Sequence, residues 1–473
     1  MTDGDGASGE MTGTSLDGRL FQFSGVTGSN WEAGAFVTLY GPDDVVQIGQ
    51  IDEIAVTLSG SVRGAGRLLG IVADGRFDSR KSLPFASAAI GDADANAVDV
   101  VQRSTGATLE IGSYLSANDR PARLLPTRFN RHTFWCGQSG SGKTYALGVV
   151  LEQLLVHAAL PMVIFDPNAD FVRLQEPAPG FPETAAQRII AGRDIRILRP
   201  SNDGPDALRV RFIDLPLKSK GAVLHLDLLD DRAEYNELLH LEEMVGTLDP
   251  EQIVPELMAK GTPAAIALAA RIENLRVTDW GVWARGKRAV TDIVEERPDA
   301  TVLDVGGFAD PDESLVVAMA VLDDLWQKRE QRRPVLIVID EAHNLCSPEH
   351  DSPLQVAVRE RIIQIAAEGR KFGLWLLIST QRPSRIHPSI VSQCDNLALM
   401  KMTSAVDLDE LSTIFGFVPS AMFARSPGFR QGEALFAGGF VPAPTMVKMG
   451  ARLTREGGAD VGVPLRDEPP EYR

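Results

Sequence analysis

The sequence contains few cysteines, no long apolar run and fewer basic than acidic residues. Its 473 residues include three cysteines, Cys136, Cys346 and Cys394, which are too few and too scattered for a disulfide framework or a CxxC metal site. No uninterrupted apolar stretch approaches the roughly 18 residues of a membrane span. Lys and Arg number 47 against 64 Asp and Glu, which gives a net charge of −17, so nucleic-acid binding would need a locally basic surface. We therefore expect a cytoplasmic protein that is not anchored in a membrane.

The composition changes several times along the chain and divides it into segments. The first residues are Gly, Ser, Thr and acidic residues with almost nothing to bury, which is typical of disorder. Short apolar stretches between Gly, Asp and Ser breaks then predict a small all-β barrel. Apolar β runs that alternate with helical patterns predict an α/β domain with a mainly parallel sheet, interrupted by a purely helical stretch. The predicted segments are a disordered N-terminus (1–16), a β-barrel (17–115), the first part of the core (116–219), a helical insertion (220–297), the second part of the core (298–450) and a polar C-terminal tail (451–473), either loose or draped over a neighbouring subunit.

The segment FWCGQSGSGKT carries the strongest chemical signal. It matches the pattern GxxxxGK[ST] between a β-like run and a helix-like run, which is the context that a phosphate-binding loop requires. Lys143 is expected to reach the β and γ phosphates of ATP, and Thr144 offers a hydroxyl to Mg²⁺. The helix N-terminus adds its positive end to the site. The predicted nucleotide-binding residues are Gly137, Ser139, Gly140, Ser141, Gly142, Lys143, Thr144 and Tyr145.

Two adjacent acidic residues follow the apolar run VLIVI. A strand that ends in Asp340 and Glu341 buries carboxylates next to its apolar residues, which is costly unless they are used. Asp340 is predicted to bind Mg²⁺, and Glu341 is predicted to polarise the attacking water. The alternative is that the pair merely caps a following helix. The phosphate-binding loop elsewhere in the chain favours the catalytic interpretation.

The stretch EGRKFGLWLLISTQRP supplies further polar candidates. Its apolar strand ends near Gln381, which is predicted to sense the γ-phosphate or the attacking water, whereas the simple interpretation of Thr380 is that it ends the strand. Arg370 is a candidate for stabilising transition-state charge, and the arginine-rich linker before the phosphate loop offers Arg128 and Arg131 as residues that act across a subunit boundary. For any single arginine, an ordinary solvated surface role is the alternative. His343 and His387 show no metal-binding spacing and are interpreted as structural.

These motifs together resemble the HerA family of P-loop ATPases. The resemblance rests on GQSGSGKT, VIFDPNADF, VLIVIDEAHNL and, above all, EGRKFG followed by STQRPSRIHPSIVSQCDN, and it extends from about Leu16 to Lys448. It implies a RecA-like core with an N-terminal HAS barrel, and a six-membered ring with ATP sites between neighbours and double-stranded DNA in the channel. By the same resemblance, Arg370 contacts the γ-phosphate, and Arg131 occupies a position from which the family reaches into the adjacent subunit. The sequence departs from the family pattern DPxGEY at Ala169 and Asp170, which argues against a catalytic role there.

The resemblance also implies partners. HerA proteins work with the nuclease NurA, and other members of the family accompany effectors in antiphage defence, so we expect a double-stranded DNA translocase with a NurA-like nuclease or an antiphage effector. Three alternatives stay open: a nucleotide-loaded ring that serves as a scaffold for an effector, a motor of conjugative or secretion type, and a monomeric P-loop ATPase of another lineage.

Overall fold

A computed structural model describes residues 11–26, 31–41, 45–58, 61–73, 75–180, 183–244, 250–349 and 352–458. The strands are β1 Thr12–Ser15, β2 Leu20–Gly25, β3 Phe36–Tyr40, β4 Val46–Val56, β5 Val62–Ala73, β6 Arg76–Asp78, β7 Phe85–Asp92, β8 Leu109–Tyr114, β9 Ala117–Leu124, β10 His132–Cys136, β11 Met162–Asp166, β12 Ile195–Leu198, β13 Ala300–Asp304, β14 Val335–Ile339, β15 Leu374–Thr380, β16 Cys394–Met400, β17 Glu433–Gly438 and β18 Thr445–Met449. The helices are α1 Ala95–Thr105, α2 Lys143–His157, α3 Ala185–Ala191, α4 Leu217–Val223, α5 Arg232–Met244, α6 Pro250–Lys260, α7 Pro263–Leu275, α8 Val290–Glu295, α9 Pro311–Gln327, α10 His343–Cys346, α11 Pro353–Glu368, α12 Pro388–Val391, α13 Ala405–Ile414 and α14 Ser420–Phe423. Within the described ranges, none of the helices is both long and apolar enough to cross a membrane.

The first seven strands form one antiparallel sheet, and six of them, all except β6, close into a barrel. Their order is β2-β1-β7-β3-β4-β5-β6, and β2 also pairs with β5, which closes the ring. Phe21 and Phe23 fill the interior and press against Gly66 and Gly64, where a Cβ atom would lie within 2.5 Å of the aromatic rings. One expectation was wrong in part, because Thr12–Ser15 form β1 and pair with two neighbours inside the segment predicted to be disordered. Residues 1–10 lie outside the described part of the chain.

The second sheet has eleven strands in the order β12-β13-β11-β14-β15-β10-β16-β17-β18-β8-β9. The strands from β12 to β16 in this order run parallel, and the remaining pairs are antiparallel. Apolar clusters cover both faces of the sheet, as expected when helices pack on both sides. The predicted α/β fold with a mainly parallel sheet is therefore confirmed. Strand β8 differs from the expectation, because it pairs with β18 in this sheet although its residues were assigned to the barrel.

Helices α4 to α8 occupy most of the segment predicted as a helical insertion. Their buried residues, among them Leu238, Leu257 and Leu268, belong to the same apolar cluster as Leu303 and Ile337 of the sheet. The first of these helices begins three residues before the predicted boundary, at Leu217. The helical segment is thus packed onto the core and shares its interior.

The beginning of the polar tail is also packed. Residues 451–458 follow β18, and Arg452 and Thr454 within them are buried. The expectation that this segment is loose or lies on another subunit is wrong for these residues, because Glu152 in α2 of the same chain is their ion-pair and hydrogen-bond partner. The rest of the predicted tail, 459–473, lies outside the described residues.

Candidate active site

The sheet topology brings the predicted catalytic motifs to one edge. Strands β14, β15 and β10 are parallel neighbours, so their C-terminal ends meet. The phosphate-binding loop follows β10, Asp340 and Glu341 follow β14, and Gln381 follows β15. The C-terminal edge of a parallel sheet is where open α/β proteins bind their ligands.

The phosphate-binding loop has the backbone geometry that its glycines predict. Gly140 and Gly142 have φ of 75° and 85°, and α2 begins directly afterwards at Lys143. Gly137 has no room for a side chain, because a Cβ atom there would lie 2.7 Å from the Cβ of Met400. The hydroxyl of Ser141 is buried and has no hydrogen-bond partner among the described residues. The loop therefore presents an unpaired donor and a helix N-terminus, which suit a phosphate group.

Two other predicted nucleotide-binding residues lie at the rim of the site. Ser139 is exposed at the tip of the loop. Tyr145 lies on the first turn of α2, and its hydroxyl accepts a hydrogen bond from the backbone N–H of Arg452 at 2.9 Å. Both residues, together with Thr144, line a cavity of about 540 Å³ that also contains Asp170 and residues 448–451.

Lys143 is held by the carboxylates of the acidic pair. Its Nζ lies 2.6 Å from Asp340 Oδ1 and 3.0 Å from Glu341 Oε1, and it also donates to Ser379 Oγ at 2.9 Å. Burial by itself lowers the pKa of Lys143, but the two carboxylates more than offset this and raise it above its ordinary value. The lysine is therefore charged and buried, and it is balanced by the two acidic groups that were predicted to work beside it.

Glu341 is fixed by three polar neighbours and by an unusual backbone conformation. Gln381 Nε2 donates to its Oε1 at 2.8 Å, on the same oxygen that faces Lys143, and His343 Nδ1 lies 3.3 Å from its Oε2. The φ angle of Glu341 is 44°, a region that costs energy for a residue with a side chain. Such strain concentrates at sites where it serves to aim a functional group.

Two residues of this network were not among the predicted catalytic residues. Ser379 is fully buried at the end of β15, where it donates to Asp340 Oδ1 at 2.6 Å. His343, interpreted as structural, touches both Glu341 and, at 3.3 Å, the hydroxyl of Thr380. The signal for Ser379 was a second polar residue inside an apolar strand that ends beside the acidic pair. His343 carried no signal beyond its closeness to Glu341 in sequence.

The donor set fits a hydrated magnesium ion. Asp340 Oδ2 is buried and has no hydrogen-bond partner in the described part of the chain, so this hard oxygen is available as a ligand. Thr144 is the second residue of α2 and lines the same cavity as Lys143. A carboxylate and a hydroxyl beside a phosphate-binding loop are the protein ligands that Mg²⁺ takes in this class of site.

Arg370 and Arg131 lie at the N-terminal ends of the strands, opposite the phosphate-binding loop. Arg131 precedes β10 and Arg370 precedes β15, whereas the phosphate-binding loop follows β10, whose five residues span ~16 Å at the usual rise per residue. Both arginines face Asp395 near the start of β16, at 2.8 Å from Arg370 Nη1 and 3.5 Å from Arg131 Nε. A contact between either arginine and the γ-phosphate bound to the same subunit is therefore excluded by distance, and their predicted role requires a second subunit.

The FDPNADF segment forms a tight turn that ends in a second acidic group. The buried carboxylate of Asp166 accepts hydrogen bonds from the backbone N–H groups of Asp170 and Phe171, and Ala169 adopts φ 58°, a conformation that favours glycine. Burial raises the pKa of Asp166 to about 6. Burial, together with the nearby carboxylates of Asp166 and Asp340, raises the pKa of Asp170 to about 7. The charge on these groups opposes folding at neutral pH.

Replacing Asp170 with asparagine is expected to stabilise the protein at pH 8 and to have little effect near pH 4. The folded state holds the Asp170 proton more tightly than the unfolded chain, so the carboxyl group loses favourable free energy as the pH rises from about 4 towards 7. The midpoint of thermal unfolding of D170N should rise at pH 8 by about 1–3 °C. The exposed Asp409→Asn variant is the control, and an equal shift for D170N at both pH values would contradict the pKa assignment.

Comparison with known proteins finds similarity to helicases. Residues 109–322 match the family model of the central domain of helicase HerA. A probable helicase of Methanocaldococcus jannaschii is 22% identical over 445 residues, which cover 89% of this chain and 83% of the relative. The DNA double-strand break repair helicase HerA of Pyrococcus furiosus is 22% identical over 410 residues, which cover 75% and 73% of the two chains.

Solved structures show the same fold. VirB4 of Thermoanaerobacter pseudethanolicus superposes with a TM-score of 0.50 at 15% identity, over 73% of this chain and 97% of that one. Plasmid coupling protein TrwB in complex with ADP and Mg²⁺ also gives a TM-score of 0.50, at 14% identity, over 76% and 93% of the chains. The fold, the phosphate-binding loop and the acidic pair define a P-loop ATPase. Within that class, the chain is similar to the HerA helicases, in a central-domain match and in two relatives that align over most of its length.

Proposed function

We propose that this protein is an ATP-driven motor that forms a ring and translocates on double-stranded DNA. The observation that carries the proposal is that the predicted catalytic groups are divided between the C-terminal and the N-terminal ends of the same parallel strands. The phosphate-binding loop, the acidic pair and Gln381 lie at one edge, and Arg131 and Arg370 lie at the other. A head-to-tail ring joins these two edges at every interface, because each subunit presents one surface to the neighbour ahead and the other to the neighbour behind.

ATP binding would rearrange the lysine network. Lys143 would leave Asp340 and Glu341 for the β and γ phosphates, since phosphate oxygens offer the same charge in a position that the loop already favours. Glu341 would then be free to orient the attacking water and accept its proton, with Gln381 and His343 keeping the carboxylate aimed.

Magnesium would be held by Thr144 and by the free oxygen of Asp340, with Ser379 fixing the other oxygen of that carboxylate. When bound, the ion would neutralise charge on the phosphate oxygens. Ser379 also donates to the oxygen that Lys143 now occupies, so it would preserve the orientation of Asp340 after the lysine has moved.

Arg131 and Arg370 would act on the ATP of the neighbouring subunit. Both are partly exposed and both pair with a carboxylate, Asp395, that a γ-phosphate can replace. Hydrolysis would remove the γ-phosphate, release these arginines and so couple turnover to movement between subunits. This coupling is the step that would drive DNA through the ring.

Linear double-stranded DNA is expected to stimulate ATP hydrolysis in a salt-dependent manner. A sequence-independent motor contacts phosphates, so its apparent DNA affinity should fall by a factor of about 10³ or more between 50 and 200 mM salt if six or more phosphates are neutralised. Phosphate release measured with random duplexes, at a series of salt concentrations and on particles of known mass, tests this. A ring whose turnover is indifferent to DNA at low salt would contradict the motor.

A nuclease of NurA type or an antiphage effector is the partner that we propose for the motor. The scaffold alternative assigns the same partner but makes turnover incidental. The two differ in the behaviour of a Glu341→Gln ring, which should keep ATP bound without hydrolysing it. Loss of the partner's activity in such rings supports the motor, and full retention supports the scaffold. Among motors, the fold shared with TrwB and VirB4 keeps a conjugative or secretion role as the second candidate.

A further inference from the structure

A buried ion pair fastens the C-terminal segment to the helix that follows the phosphate-binding loop. Glu152 in α2 is fully buried, and its two oxygens accept hydrogen bonds from Arg452 Nε at 3.1 Å and from the backbone N–H groups of Leu453 and Thr454 at 2.7 and 3.1 Å. The hydroxyl of Thr454 donates to the same carboxylate. A carboxylate that accepts four hydrogen bonds in the interior holds its partners in one geometry.

The sequence of α2 is adapted to this segment. Gly148 lies in the middle of the helix, where glycine is unfavourable by roughly 1 kcal/mol relative to alanine. A Cβ atom at Gly148 would lie 2.5 Å from Arg452 Cζ, so the glycine makes room for the guanidinium group. One turn earlier, the hydroxyl of Tyr145 accepts from the backbone N–H of Arg452. We call residues 451–458 the C-terminal strap.

The strap also forms part of the nucleotide cavity. Ala451, Glu456 and Gly458 line the cavity together with the phosphate-binding loop. The far end of the strap is fixed by the FDPNADF turn, since the N–H of Gly457 donates to the carbonyl oxygen of Asp170 at 3.0 Å. The strap thus crosses α2 at Gly148 and ends at the cavity lining beside Asp170.

The chemistry of the strap suits a nucleoside better than a phosphate. Glu456 of the strap and Asp170 of the FDPNADF turn both line the cavity. The charge on Glu456 contributes to the raised pKa of Asp170. Carboxylates repel a polyphosphate chain but accept hydrogen bonds from ribose hydroxyls, as acidic residues do in dinucleotide-binding proteins. The phosphates are drawn instead to Lys143 and to the N-terminus of α2.

We propose that the C-terminal strap is the wall against which the ribose and base of the nucleotide lie, and that Arg452 and Glu152 are positioning residues that hold this wall in place. This inference rests on the proposed nucleotide binding and extends it to a segment that lies outside the family's motifs. It follows that displacing the strap weakens binding of a nucleotide but not of the phosphate chain alone.

The test is the Gly148→Ala variant, titrated separately with ADP and with inorganic pyrophosphate in the presence of Mg²⁺. Alanine improves the helix but removes the space that Arg452 occupies. We expect the dissociation constant for ADP to rise about tenfold and that for pyrophosphate to change less than about twofold. The control is Gly428→Ala, where an added Cβ atom meets no atom within 4 Å.

The outcomes separate the inference from the proposed function. An unchanged affinity for ADP would overturn the proposed role of the strap. An equal loss of affinity for ADP and pyrophosphate would also overturn it, because that result means that the phosphate-binding loop itself was damaged. Failure of the unaltered protein to bind either ligand would refute nucleotide binding as a whole.

Hydrogen exchange on the unaltered protein provides a second measurement that does not depend on a variant's folding. Saturating ADP should slow exchange of the amides of residues 452–458, two of which donate to Glu152, whereas pyrophosphate should not. Equal protection by both ligands, or no protection by ADP, contradicts the proposal.

Discussion

Replacing Glu341 with glutamine is expected to lower the rate of ATP hydrolysis by about 10²–10⁴-fold while ATP still binds. The amide has nearly the same size as the carboxylate but cannot accept a proton from water. Removing the charge also weakens the hold on Lys143, whose Nζ lies 3.0 Å from Glu341, and this favours movement of the lysine to the phosphates. Phosphate release and equilibrium binding of ATP, measured on the same preparation, check both parts of the prediction.

Two variants make the result specific to the site. Lys143→Ala should abolish turnover by weakening binding of the triphosphate, so it separates loss of affinity from loss of chemistry. Glu330→Gln changes an exposed carboxylate that precedes the N-terminal end of β14, and it should leave both ATP hydrolysis and ATP binding unchanged. If Glu341→Gln hydrolysed ATP at nearly the normal rate, the catalytic base would have to be another residue, and Glu341 would only balance the charge of Lys143.

The positions of Lys143 and Glu341 followed from sequence because a short motif in the right order already encodes the local geometry. A phosphate-binding loop needs glycine at positions of positive φ, and Gly140 and Gly142 have that conformation. Likewise, an apolar run that ends in two acidic residues predicts a buried strand with a polar end. The parallel sheet then brings the ends together without further information.

The partners of these residues were harder to predict, because they depend on register between strands far apart in the chain. Ser379 bonds to Asp340 since β15 pairs with β14, and nothing in the STQRP motif distinguishes Ser379 from Thr380 as the inward residue. Strand β8 shows the same limit at a larger scale. Its alternating pattern resembles that of the barrel strands, and only its pairing with β18 places it in the large sheet.

The C-terminal strap could not be predicted from its composition. Residues 451–458 are polar and rich in glycine, a pattern that favours a loose segment. Their burial depends on Glu152, which lies 300 residues earlier and which reads in sequence as a helix residue like any other. A fully satisfied ion pair can bury a polar segment, but the partner must be known before the burial can be inferred.

The sequence around Arg131 and Arg370 indicates that they contribute to ATP hydrolysis, but it does not indicate on which subunit they act. Arg370→Ala is expected to reduce ATP hydrolysis by about 10³-fold or more, the usual contribution of an arginine that stabilises the transferred phosphoryl group. The loss of turnover should be much larger than any loss of ATP binding, because Arg370 adds one contact at the neighbour's γ-phosphate while Lys143 and the phosphate-binding loop hold the rest of the phosphate chain. Turnover and binding measured on the assembled ring test this.

Mixed rings show whether Arg370 acts on the neighbour. Lys143→Ala subunits lack a working nucleotide site but keep the arginine, and Arg370→Ala subunits have the opposite defect. Co-assembled in equal amounts, they should regain turnover at roughly one quarter of the interfaces, where an intact site meets an intact arginine. The control is Arg103→Ala, which alters an exposed residue of α1. Rings made only of Arg103→Ala subunits should hydrolyse ATP normally. Mixed rings as inactive as either parent would contradict the proposal that Arg370 acts on the ATP of the neighbouring subunit.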